Sequence, residues 1–122
     1  MPTDLTVTLA EDRPGAFSAI ADALGRAGVN IDGAAMIEGI AHVLVEDPGR
    51  ARAALEAGGL TVGSVQEVVV AHPADRPGAL AQVTGALAGA GVSVRFLYLA
   101  TGTRVVIGAD DLELARRALP AG

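Results

Sequence analysis

Few residues of this 122-residue chain carry side chains that do covalent chemistry. There is no cysteine, which removes disulfides, iron–sulfur clusters, thiolate zinc sites and cysteine nucleophiles together. His42 and His72 are the only histidines and stand thirty residues apart, with no partner at ligand spacing, so no metal site is expected. No serine, histidine and acid assemble into a triad, no carboxylates cluster, and no glycine-rich phosphate loop occurs. What recurs is Asp12-Arg13-Pro14-Gly15-Ala16, found again as Asp75-Arg76-Pro77-Gly78-Ala79. In such a stretch proline suits the first turn of a helix, and Asp can accept a hydrogen bond from a free amide there. Arg13 and Arg76 are either solvated surface charges or clamps for a carboxylate.

Those residues need a scaffold, and the composition supplies one. Apolar residues are 51% and charged residues 19%, enough to build a core and too apolar for intrinsic disorder. Fourteen acidic against nine basic residues, all nine of them Arg and never in a run, leave a net charge of -5. A nucleic acid is therefore not expected as a partner, and with only two Phe and one Tyr an RNA-stacking sheet is not expected either. Met1-Pro2-Thr3-Asp4 is not a basic leader, and no apolar run approaches the roughly 18 residues of a membrane helix. The expectation is a cytoplasmic protein with no membrane association and no cofactor.

The chain is one unit written twice. A shift of 63 residues gives ten identities over the eighteen positions from Asp12 to Val29, including Ala27-Gly28-Val29 on Ala90-Gly91-Val92. Within a unit, Leu5 to Leu9 alternates as a strand with one buried face, and Val68 to Val70 is its counterpart. Phe17, Ile20, Leu24 and Ala27, like Leu80, Val83, Leu87 and Ala90, recur at helical spacing, with Gly28 and Gly91 as stops. Ile31–Ile37 and Ile40–Val45 follow as two strands turning at Glu38-Gly39, and Val94–Leu99 and Val105–Ile107 as two turning at Thr101-Gly102. Second helices are expected from Pro48 to Leu55, ended by Gly58-Gly59, and from Leu112 to Leu119. Leu60 to Val65 then completes βαββαβ in the first copy.

The fold class expected is α+β, two ferredoxin-like βαββαβ sandwiches over residues 1–65 and 66–122, packed as an intramolecular pseudo-dimer. Only Pro120-Ala121-Gly122 follow the last helix, so the second copy lacks its final strand. Either its first strand keeps an open edge, or Thr61 to Ala71 forms one long strand kinked near Gly63. Val94, Phe96 and Tyr98 alternate with Leu97 and Leu99, placing apolar bulk on both faces of one strand. Helices cover one face, so the other must meet a sheet, a chain or a ligand, and a homodimer is expected.

The strand, the Asp-x-Pro-Gly-x-(Phe or Leu) turn, the amphipathic helix and the Ala-Gly-Val-(Asn or Ser)-(Ile or Val) segment resemble the ACT domain family. The resemblance covers Leu5 to Leu119, carries both copies, and is similar in layout to stand-alone tandem proteins of that family. It implies a module that binds a free amino acid and regulates a separate metabolic enzyme. It also implies a ligand site between the first strand and helix of one module and the second strand of a paired one. That places the site at Glu11, Asp12, Arg13, Pro14, Gly15, Ala16, Asn30 and Ile31, and at Ala74, Asp75, Arg76, Pro77, Gly78, Ala79, Ser93 and Val94. The amides of Gly15, Ala16, Gly78 and Ala79 would suit an α-carboxylate, and Asn30 the α-ammonium. Ser93 reaches less far than Asn30, so two unequal sites are expected, with His72 as a further ligand contact beside the second. Ala16, Ala34, Ala35 and Ala79 leave room for an apolar ligand side chain. The competing functions are a purely structural, dimerising subunit and, with no residues to support it, a small enzyme on the same sandwich.

Overall fold

The computed structural model describes residues 2–9 and 13–120 and divides into two compact units, Met1–Gln66 and Glu67–Gly122. The first unit runs β1 (Thr3–Thr8), α1 (Ala16–Arg26), β2 (Gly33–Ile37), β3 (Ile40–Val45), α2 (Pro48–Ala57) and β4 (Val62–Glu67). Its strands lie in the order β4-β1-β3-β2, the ferredoxin-like arrangement. The second runs β5 (Val69–Ala71), α3 (Ala79–Gly89), β6 (Val94–Ala100), β7 (Arg104–Ala109) and α4 (Leu112–Ala118), with strands in the order β6-β7-β5. The molecule is thus α+β, and among the described residues no strand follows α4.

In the first unit β1 and β2 flank β3 antiparallel, with Leu5 opposite Val43 and Val7 opposite Ala41. These side chains meet Ile20, Leu24 and Leu55 in one core, each fully buried. Burying an aliphatic side chain of this size stabilises by about 1.5–3 kcal/mol, so the helix stripe holds α1 to the sheet. The second core repeats the plan with Val83, Leu87, Val105, Ile107 and Ala115. Leu80, expected in that stripe, is instead 42% exposed.

Both first helices stop in the same way. Gly28 at φ 72° lets its amide reach Gly25 and the next amide, of Val29, reach Leu24 at 2.9 Å. Gly91 repeats this with Ala88, and Val92 with Leu87 at 3.0 Å. This is the Schellman ending, and buried Val29 and Val92 carry the apolar contact that accompanies it. The second helices share a cap: the Asp47 carboxylate accepts from the Arg50 amide at 3.1 Å and the Asp111 carboxylate from the Leu114 amide at 3.0 Å.

Two expectations are corrected. Glu38-Gly39, at φ 47° and 79°, makes a two-residue hairpin loop, but Thr101–Thr103 is a three-residue turn with Gly102 and Thr103 at φ 67° and 59°, held by the Arg104 guanidinium on the Thr101 carbonyl. The repeat therefore runs at a shift of 64 across β7, where Val106 stands in the place of His42. The long strand breaks at Val68 and not near Gly63: β4 lies beside β1, while β5 pairs with β7. β5 itself is only three residues long, a short edge that limits pairing with other chains.

The face of the second sheet away from its helices carries an aromatic pair. The rings of Phe96 and Tyr98 stack with centroids 6.1 Å apart, and the Phe96 ring occupies the space that a Cβ on Gly108 would need. Gly108→Ala is therefore expected to cost about 1–3 kcal/mol through overpacking, read from urea denaturation. Gly85→Ala, in the open middle of α3 with nothing within 4 Å, should stabilise by about 0.4–1 kcal/mol. Equal effects of the two would contradict this account of Phe96.

Candidate functional site

The Arg-Pro-Gly segment does not begin the helix as the sequence suggests. It forms a type II turn: Gly15 stands at φ 85°, ψ 0°, and the Ala16 amide donates to the Arg13 carbonyl at 3.2 Å. Gly78 at φ 85°, ψ -9° repeats it, with the Ala79 amide on the Arg76 carbonyl at 3.2 Å. Proline belongs in the second position of such a turn and glycine in the third, where φ is positive. Pro14 and Pro77 thus precede the helix, and the glycines are its caps. Neither cap carries a side-chain hydrogen bond, so Asp75 does not cap α3. Glu11 and Asp12 lie outside the described residues.

This corrects the expected donor set. The Ala16 and Ala79 amides are already spent on the turn. The first intrahelical bonds run from Ala19 to Gly15 and from Gln82 to Gly78, which leaves Phe17 and Ser18, and Leu80 and Ala81, as first-turn donors.

A cleft of about 320 Å³ opens beside the first turn, lined by Thr8, Arg13, Ala16, Ala19, Leu60 and Thr61 among others. The sequence reading missed Thr8, Leu60 and Thr61. The topology was the available signal, since in a βαββαβ unit the segment before the last strand returns beside the end of the first. Asn30 lines a different cleft of the same unit, about 230 Å³, with Asp32, Glu46, Asp47 and Arg50. Its amide donates to Asp32 at 2.7 Å. Within the first unit, then, Asn30 and the Arg13–Ala16 turn are not brought together. Ile31 packs against the core.

The second unit places Asp75, Arg76 and Ala79 on a cleft of about 210 Å³, shared with Pro73, Leu80, Leu99 and Val105. His72 is exposed at the end of β5 and is not among its lining residues. Ser93 is tied to α4's approach: its amide donates to the Asp110 carboxylate at 3.0 Å and its carbonyl accepts from the Asp110 amide at 3.1 Å. Val94 is exposed on β6, and neither residue lines this cleft.

One polar cluster was not anticipated. Asp4 is fully buried on β1, its carboxylate 3.0 Å from His42 Nδ1, and it accepts from Thr6, whose hydroxyl accepts from Ser64 at 2.9 Å. Asp4 stands one residue before the Leu5 to Leu9 alternation, and an aspartate, a poor strand former, joins the strand there only in a special environment. Among the described residues no group of His, Cys, Asp and Glu could hold a metal ion.

Two findings place this geometry among known proteins. Residues 3–57 match the ACT domain family model. No curated protein matches the sequence. Among solved structures, a protein of Bacteroides thetaiotaomicron is 24% identical with a TM-score of 0.77, over 96% of this chain and 83% of the other. The ligand-free regulatory subunit of aspartate kinase from Thermus thermophilus is 18% identical with a TM-score of 0.73, over 97% and 87%. Aspartokinase III of E. coli, solved with aspartate and ADP, is 16% identical with a TM-score of 0.66, over 96% of this chain and 30% of its own. At these identities the likeness is one of fold. No helix among the described residues is long and apolar enough to cross a membrane.

The turn glycines and the buried aspartate can be tested separately. Gly15→Ala and Gly78→Ala should each cost about 1–2 kcal/mol because a Cβ is forced into the left-handed region, with Asn at either position costing less, as read by chemical denaturation. Asp4→Ala should cost about 1–3 kcal/mol by leaving hydrogen-bonding groups without their buried acceptor. An unchanged unfolding midpoint would remove Asp4 from the forces that hold β1 to β3.

Proposed function

We propose that this chain is an amino-acid-binding regulatory module without catalytic activity, which reports the level of a free amino acid to a separate enzyme or regulator of amino-acid metabolism. In this reading residues 1–65 and 66–122 are two ACT modules paired within one chain, and two chains form a homodimer. The observation that carries it is the repeated Arg-Pro-Gly turn, built with the same left-handed glycine and the same 3.2 Å bond in both units, each beside a cleft. The family match over residues 3–57 and a fold shared with a regulatory subunit of aspartate kinase support the same reading.

The binding groups proposed are Glu11 to Ala16 with Asn30 and Ile31, and Ala74 to Ala79 with Ser93, Val94 and His72. Arg13 and Arg76 are exposed at the clefts, where a guanidinium can take a carboxylate through two parallel bonds. A separation of Asn30 from the Arg13 turn inside one unit agrees with a site completed by a paired module. Regulation then requires only that the amino acid bind one arrangement of paired modules more tightly than another.

The test is a thermal-shift screen of the full chain against the twenty amino acids, with calorimetric titration of each hit. Ligand at a hundred times its Kd adds about 2.7 kcal/mol, several degrees of Tm for a chain of this size. A selective shift that Arg13→Ala or Arg76→Ala abolishes is the expected result. The absence of binding by any amino acid would overturn it in favour of a structural, dimerising subunit, and sedimentation showing monomer alone would remove the homodimer.

A further inference from the structure

The two turns are alike but the clefts beside them are not, and from that difference we infer that the cleft of the second unit selects an α-amino acid with a branched aliphatic side chain. The inference rests on the amino-acid-binding reading above and names which amino acids. Exposed aliphatic residues are ordinary when scattered. Here two converge: Leu80, in the first turn of α3, is 42% exposed, Leu99 near the end of β6 is 63% exposed, and both wall the same cleft. Buried Val105 and half-buried Pro73 complete the apolar lining.

Size and polarity narrow the occupant. The cleft holds about 210 Å³, below the roughly 300 Å³ at which drug-sized pockets begin, so it fits a ligand of few heavy atoms. Thr103 is the one hydroxyl in the lining, and it donates its proton to the Pro73 carbonyl. A ligand side-chain hydroxyl held against Leu80, Leu99 and Val105 would find no hydroxyl donor, whereas an isopropyl or isobutyl group asks for none. The lining also carries both charges that a zwitterion requires. Asp75 and Arg76 are adjacent and exposed, and one guanidinium nitrogen rests on Gln82 at 3.1 Å. The remaining N–H donors of the fork are left for a carboxylate, and the aspartate for an ammonium. The first unit's cleft is larger, about 320 Å³, and carries the hydroxyl-bearing Thr8 and Thr61, so the preference belongs to the second unit.

The experiment is calorimetric titration of the full chain with valine, leucine, isoleucine, serine, threonine and aspartate, alongside an amide-resolved NMR titration to locate binding. The aliphatic three should bind at least about tenfold tighter than the polar three, the scale on which apolar pockets discriminate. Their shifts should centre on Leu80, Leu99 and Arg76. Leu99→Asn should weaken aliphatic binding by about tenfold or more, and Leu99→Met should restore most of it. Because Leu99 is exposed, neither variant should move the unfolding midpoint. A polar amino acid binding more tightly at this cleft, or aliphatic affinity unchanged in Leu99→Asn, overturns the inference and leaves the regulatory reading standing. If none of the six nor any other amino acid binds, the regulatory reading fails and this inference with it.

Discussion

A left-handed glycine in front of each first helix is the constraint on which both units depend. A strand running along one layer must become a helix lying on that layer, and in both units the Arg-Pro-Gly-Ala turn is the last step into that helix. Gly15 and Gly78 make the reversal by standing at φ 85°, a conformation that costs an L side chain about 1–2 kcal/mol. A second left-handed glycine, Gly28 or Gly91, releases each helix again. The helix between them is eleven residues long in both units, so the spacing of two glycines sets which residues face the sheet. Ile20 and Leu24, and Val83 and Leu87, are buried as a result.

From that shared start the two copies diverge in chemistry. Behind β1 and β3 the face away from the helices carries a polar cluster, with Thr6 opposite His42 in register and the His42–Asp4 contact beside them. Behind β5 and β7 the corresponding pair is Val70 opposite Val106, and the place of Leu44 is taken by Gly108 under the Phe96 ring. One scaffold thus carries a hydrogen-bonded patch in one copy and a stacked aromatic patch in the other. Burying Asp4 is affordable only because acceptor and donors meet there.

The clefts diverge for a similar reason. In the first unit the segment Gly59–Thr61, between α2 and β4, closes one side of the cleft and brings a hydroxyl. In the second unit the lining comes from the β6–β7 end, with Leu99 and Thr103. Identical turns can therefore serve different occupants, and the side chains that differ are those outside the repeated motif.

The sequence by itself determined the duplication, which is a pattern of identities along the chain, and the order of elements, the helix stops at Gly28 and Gly91 and the Glu38-Gly39 hairpin, because each of these rests on residues within a few positions of one another. It misjudged Pro14 and Pro77 as helix residues, since a turn and a helix start share the same proline preference. Tertiary structure alone decided that Leu80 leaves its stripe for a cleft, that Asn30 and the Arg13 turn occupy separate clefts, and that Asp4 finds His42 thirty-eight residues away. Those outcomes depend on which side chains face each other across strands and loops. Local preference carries no information about such pairings, because their energy exists only once distant segments have packed.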